Sequence, residues 1–332
     1  MNDRQLNIEV ILRKILYIAI LFISLSSVAC DSAEDDYYVD NQSKEDNQFG
    51  YVKQYMSLSP VDGGNAQGSA RYDKYFFQGY NYNGQLSIYN LDDKKYLTTI
   101  GISDPLPNLR CHVNSIGFGN EKFSDDDFFP LLYICSGYDI NGCSYIYAYR
   151  IQKNIINDRE EFSISLEQTI SLSGFGGWTE GIVDAKNGYL WIKYSKNGLM
   201  CYGKYELPLL KDGDVTINNN DCLQEILLKK IPSNSSSQGH MFYDNNIYIV
   251  SGVPSWGQDL ALISINTLTG EFNYIIDLKK LGMINPRNSK DNSLEPEGII
   301  EYNDQLMICY KYFICSLDIN EILNKGNYNY NY

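Results

Sequence analysis

Apolar and polar positions alternate in short runs over most of the chain, and Asn, Gly, Asp and Ser break the runs. Tyr75-Phe-Phe-Gln-Gly-Tyr, Cys143-Ser-Tyr-Ile-Tyr-Ala-Tyr, Ile247-Tyr-Ile-Val-Ser and Leu306-Met-Ile-Cys-Tyr are such runs. Runs of this length, rich in aromatic and β-branched residues and bounded by turn formers, predict β-strands. No long stretch carries the helical period, so the pattern predicts an all-β body.

A weak repeat organises the strands. Each copy opens with a polar residue, usually followed by Gly, then a β run, a turn and a second aromatic or aliphatic strand. The copies begin at Gln67-Gly-Ser-Ala, His112-Val-Asn-Ser, Glu180-Gly-Ile-Val, Gln238-Gly-His-Met and Glu297-Gly-Ile-Ile. Their leading residues stand 45, 68, 58 and 59 positions apart, which are blade-sized periods. The fourth interval reads as strands over 240–244, 247–253, 260–266 and 272–278, with a turn at Asn245-Asn246. The longest interval carries an insertion near 121–129. The fifth holds only three strands, and Tyr51-Val-Lys-Gln-Tyr-Met-Ser-Leu, upstream of the first repeat, is available as its outer strand. A five-bladed β-propeller closed by an N-terminal strand follows; a six-bladed ring with one degenerate repeat is the alternative count.

The ends read differently. Arg13 and Lys14, the apolar run from Ile15 to Ile23 and the small residues before Cys30 have the order of a secretory signal over residues 1–29. The run is too short for a stable membrane span. Ser27-Val-Ala-Cys30 resembles a lipobox, with Ser27 where Leu is usual. That resemblance implies acylation of Cys30, and each buried methylene adds about 0.8 kcal/mol of membrane affinity. Residues 30–50 are polar and acidic, as expected of a tether. Asp31-Ser-Ala-Glu-Asp-Asp36 is similar to the export tag of Bacteroidota surface lipoproteins, which implies an outer-membrane lipid partner and a cell-surface location. Residues 51–323 are left for the propeller and 324–332 for a low-complexity tail.

Composition narrows the partners. The formal charge of −14 argues against nucleic acid, which demands a basic surface. Cys30 aside, seven cysteines remain: Cys111, Cys135, Cys143, Cys201, Cys222, Cys309 and Cys315. They form no CxxC pair, which excludes zinc-ribbon and thioredoxin readings. Cys309 and Cys315 bracket a short turn and can face each other across a hairpin.

In a propeller the innermost strands meet around the axis. Gln67, His112, Glu180, Gln238 and Glu297 are therefore expected as a polar ring at one mouth, with the following Gly letting the backbones approach. The loops leading into them would form its rim, with Arg110, Asn114, Trp178, His240 and Glu295 as candidate contacts. Trp178 can stack on a sugar ring, and Trp256 is a second, weaker candidate; Trp191, inside a strand pattern, is expected in the core. Glu180 and Glu297, with the amide oxygens of Gln67 and Gln238, would suit calcium or another divalent cation, whereas His112 suits softer metals. Two close carboxylates can also form an acid–base pair. The alternative is a structural plug of satisfied polar ends. Asp125-Asp-Asp127 and Asp212-Gly-Asp214 read as solvated turns. No GxSxG, HExxH or phosphate-cradling motif is present.

The repeated Glu-Gly or Gln-Gly opening resembles the five-bladed propellers of the calcium-dependent apyrase type, in which the equivalent positions hold a central calcium. The resemblance rests on Glu180 and Glu297 and implies nucleoside diphosphate hydrolysis. Gln67 and Gln238 stand where that family mostly uses Ser, and His112 replaces another acid. His112-Val-Asn-Ser, Phe129-Pro-Leu-Leu-Tyr and Glu295-Pro-Glu-Gly298 together resemble an uncharacterised group of Bacteroidota propeller lipoproteins. The expected function is a lipid-anchored surface propeller that binds a glycan or peptide at the axial mouth. The alternatives are a metal-dependent hydrolase and a scaffold subunit of an outer-membrane assembly.

Overall fold

A computed structural model describes residues 52–59, 64–80, 84–102, 113–140, 143–228, 236–278, 281 and 295–325. The segments expected as signal and tether, including Cys30, lie outside these residues, as do Arg110, Cys111 and His112. The described chain forms five antiparallel-based sheets arranged as a five-bladed β-propeller. The six-bladed alternative is set aside by the sheet count.

Blade 1 is β2 (Ala66–Tyr72), β3 (Tyr75–Tyr80), β4 (Gln85–Asn90) and β5 (Lys95–Gly101). Blade 2 runs from β6 (Val113–Phe118) through β7 (Leu132–Ile140) and β8 (Cys143–Ile156) to β9 (Arg159–Ser173). Blade 3 contains β10 (Gly176–Asp184), β11 (Tyr189–Lys196), β12 (Leu199–Glu206) and β14 (Gln224–Leu228). Blade 4 is β15 (Ser237–Tyr243), β16 (Asn246–Ser251), β17 (Ala261–Asn266) and β18 (Phe272–Asp277). Blade 5 is β19 (Gly298–Tyr302), β20 (Gln305–Cys309), β21 (Phe313–Leu317) and, on its outside, β1 (Val52–Ser57). Val52 pairs with Leu317 and Ser57 with Phe313, so the ring closes through the N-terminal strand as the sequence implied. Closure satisfies a row of backbone groups that would otherwise form an open edge.

The middle strands are buried on both faces because each blade is sandwiched between two others. β3 is buried along its whole length, which explains why Tyr75-Phe-Phe-Gln-Gly-Tyr reads as a nearly continuous aromatic run. Outer β9 instead alternates between exposed and covered positions. Five hydrophobic clusters fill the five gaps between blades. Trp191 is at the 3–4 interface, 1% exposed, as expected of a core residue.

Four details depart from the sequence reading. Blade 2 gains a fifth strand, β13 (Val215–Asn218), which leaves the blade 3 segment and pairs in parallel with β9. Gln168 Nε2 donates to the carbonyls of Leu209 and Gly213, and the Thr169 amide donates to Asp214. The large second interval contains the insertion expected near 121–129, which spans 119–131 between β6 and β7, but also a β8–β9 hairpin extended to a two-residue turn at Asn157-Asp158. The first turn of blade 4 is Asp244-Asn245, one residue earlier than expected, with both residues at positive φ as a type I′ turn requires. The chain also forms a short helix, α1 (Ile319–Lys325), whose Ile322 packs into the 4–5 cluster. Asn324 and Lys325 thus belong to a helix and not to a tail, because a buried anchor outweighs weak local periodicity; residues 326–332 lie outside the described set.

Cys309 and Cys315 are both free and buried. Cys309 is opposite Ile314 and Cys315 opposite Ile308, so neighbouring side chains point to opposite faces of the blade and no bridge joins them. Asp127 is held bidentately by Arg150 at 2.8 and 2.9 Å, and Asp212 caps its own turn by accepting from the Leu209 amide. Both acidic runs are structural turns.

Candidate functional site

Gln67, Glu180 and Gln238 stand on the innermost strands β2, β10 and β15, and Glu297 immediately precedes β19. These strands abandon regular pairing at this end. Between Ala66 and Ser69, β2 carries one residue more than its partner; the same holds between Val113 and Ser115 on β6 and between Ser237 and Gly239 on β15. On β10 two extra residues separate Gly176 from Glu180. Gln67, Asn114, Trp178 and Gln238 lie inside these breaks. A β-bulge leaves its extra residue outside the ladder and re-aims the side chain. The carbonyl of Gln67 is instead held by the buried Gln78 side chain.

The expected close approach is present. A Cβ on Gly239 would come 2.5 Å from Cα of Gly298, and one on Gly298 would collide with Ser69. Both positions therefore admit only glycine without backbone movement.

The ring residues do not share one environment. Glu180 is wholly buried, and its Oε2 receives Lys193 Nζ at 2.9 Å. Lys193, opposite Glu180 on β11, also donates to Ser237 Oγ. His240 Nδ1 lies 3.1 Å from the same carboxylate oxygen, within ion-pair distance but without hydrogen-bond alignment. Its Nε2 is 3.1 Å from the Tyr202 hydroxyl. Burial lowers the His240 pKa to about 4, with Lys193 adding to the shift and Glu180 opposing it. Burial also raises Tyr202 well above the usual phenol range. The phenol therefore keeps its proton and the imidazole is neutral, and the direction of the Tyr202–His240 hydrogen bond follows the imidazole tautomer. His240 belongs to this buried network and not to the rim.

Glu297 has different surroundings. It is 4% exposed, its Oε2 has no hydrogen-bond partner, and burial and then Glu295 push its carboxyl well above the usual range. Burial raises Glu295 to about 7, and Glu295 Oε1 accepts from Gln238 Nε2 at 2.8 Å. Gln67 Oε1 is likewise buried without a partner. Glu180 is thus a neutralised carboxylate in one network and Glu297 a protonated one in another. Among the described residues no group of three His, Cys, Asp or Glu side chains is spaced to hold a metal ion.

Trp178 is 39% exposed, in the β10 bulge, and Trp256 is 71% exposed in a 3-10 turn between β16 and β17. Segments that lead into inner strands and those that join second to third strands emerge on one face of a propeller. Both indoles consequently share the ring face. Lys193, Tyr202 and Ser237 were not singled out in the sequence. The signal for Lys193 was a lone charge inside Tyr189-Leu-Trp-Ile-Lys-Tyr194, a run otherwise fit for burial.

No protein-family model matches the chain, and no curated protein does. Solved structures similar to it include a tail fibre of Staphylococcus aureus phage P68, at 13% identity and TM-score 0.47 over 84% of this chain. The chain spans 56% of that fibre. Myxococcus xanthus glutaminyl cyclase is 14% identical over 80% of this chain and 94% of its own, with TM-score 0.44. The PQQ-bound aldose sugar dehydrogenase of Streptomyces coelicolor is 8% identical over 80% and 97%, with TM-score 0.45. These are likenesses of fold and carry no activity across.

Proposed function

We propose that this chain is a lipid-anchored propeller of the outer-membrane surface that binds a glycan or peptide at the ring face. The row of bulges carries the reading. Four inner strands give up ladder hydrogen bonds at the same end, and bulges concentrate beside functional sites. Gln67 Oε1, a buried oxygen left unpaired there, is an acceptor waiting for a donor, and the unpaired Oε2 of the protonated Glu297 can donate or accept. Glycan hydroxyls and peptide N–H groups supply donors, and exposed Trp178 offers an apolar face beside them. A hydrolase built on Glu180 is less well supported, because Lys193 already occupies that carboxylate. Anchoring through Cys30 and surface export through the acidic tag rest on the sequence pattern.

The test is binding of the full chain to arrays of surface glycans and of short peptides. A Gln67→Ala, Trp178→Ala variant should lose the wild-type ligand while keeping the wild-type melt. Retained binding in that variant would remove the ring face from consideration. Cys30→Ala should release the protein from the membrane fraction, and unchanged retention would overturn the anchor.

A further inference from the structure

The face opposite the ring holds a cavity of about 460 Å³, coaxial with the propeller and lined by all five inner strands. This volume lies within the usual range of small-molecule pockets, roughly 300–1,000 Å³. Its deep end is set by Ser69, Ser115 and His240, the lining residues farthest from the strand turns. Ser115 donates its proton to the Gly181 carbonyl, which leaves its oxygen as an acceptor toward the cavity. Both nitrogens of His240 are directed at Glu180 and Tyr202, and burial keeps the ring neutral. No net charge therefore faces the deep end.

The walls above are apolar, with Phe118, Met241 and Phe242 among them. Charge appears only at the lip, which Arg71, Asp184, Lys186, Asp244 and Glu301 line. Arg71 Nη2 is 2.6 Å from Glu301 Oε2, and Asp184 accepts from the side chain and backbone of Asn187. A ligand carrying charge inward would be desolvated with no counter-charge, at a cost of several kcal/mol.

We propose that this funnel is a second ligand site, taking a neutral apolar-bodied alcohol or phenol with its hydroxyl directed at the two serines. The site is independent of the ring face. Trp191 reports on it, because its indole stacks on wall residue Phe242 at 6.5 Å between centroids and 15° between planes.

The experiment uses the full chain with Trp178→Phe and Trp256→Phe, which leaves Trp191 as the only indole of the three. Benzyl alcohol should give a saturable change in Trp191 emission. Benzoate and benzylammonium, identical in ring but charged at the tip, should bind at least about tenfold more weakly. Ala185→Phe, at the lip, should abolish the response, and Ser69→Ala should weaken the alcohol by about tenfold, the usual scale of one hydrogen bond. Gln67→Ala should leave it unchanged, which separates this site from the ring. Equal binding of benzoate, no saturable response in folded protein, or an intact response in Ala185→Phe would each overturn the proposal.

Discussion

Lys193 Nζ meets Glu180 Oε2 at 2.9 Å across the first two strands of blade 3, with both side chains almost wholly withdrawn from water. Partner removal leaves an uncompensated buried charge, which costs about 3–5 kcal/mol. Lys193→Met should lower the urea midpoint accordingly, and adding Glu180→Gln should recover most of the loss. A single mutant as stable as wild type would show that the pair contributes nothing to folding.

His240 gives the network a pH signature. Its folded pKa, about 4, lies below the unfolded value of about 6.5. The unfolded chain therefore takes up this proton first, and stability falls as pH drops from about 6.5 to 4, by about 3 kcal/mol in all. Above that window His240 has no effect. His240→Gln should flatten the decline in denaturant melts. In Lys193→Met the remaining Glu180 charge should move the titration upward, visible by NMR once His112→Gln leaves one histidine, since the chain has two.

Glu295 and Glu297 act with the opposite sign. Both hold protons in the fold that the unfolded chain releases near pH 4.5, so their contribution is present below that value and lost as pH rises, for Glu295 through about 7. Replacing both by Gln should raise stability at pH 8 and leave it little changed at pH 4. A double mutant weaker than wild type at pH 8 would mean that the carboxylates are stabilised by charge there.

β1 closes the ring from the far end of the sequence and buries Val52, Met56 and Leu58. Removing residues 51–59 should abolish the single cooperative melt, since blade 5 would lose its outer strand and expose an edge. Circular dichroism melts of the truncated and full chains make the comparison. An unchanged transition would disprove closure.

Burial pushes the thiols of Cys135, Cys309 and Cys315 up to about 12. The thiolate is the reactive form, so none of the three should be alkylated at pH 8 without denaturant. Peptide mass mapping reads each site separately.

The strand alternation, the repeat spacing and the polar opening of each copy determine an all-β ring of five units, because a period-2 pattern with blade-sized repeats has few other ways to bury its faces. The same pattern assigns Tyr51–Leu58 as the closing strand, since the fifth interval is one strand short. Position around the axis was legible for Gln67, Glu180, Gln238 and Glu297, but chemical state was not. A glutamate in a Glu-Gly repeat reads alike whether it is neutralised by a lysine across the ladder, as Glu180 is, or buried as an acid beside a second carboxyl, as Glu297 is. Those outcomes depend on which side chains other strands bring within 3–4 Å, and on how much water the neighbouring blades exclude. The transfer of β13 to blade 2 and the funnel opposite the ring both arise from contacts between segments far apart in sequence, across two neighbouring blades for β13 and around all five inner strands for the funnel.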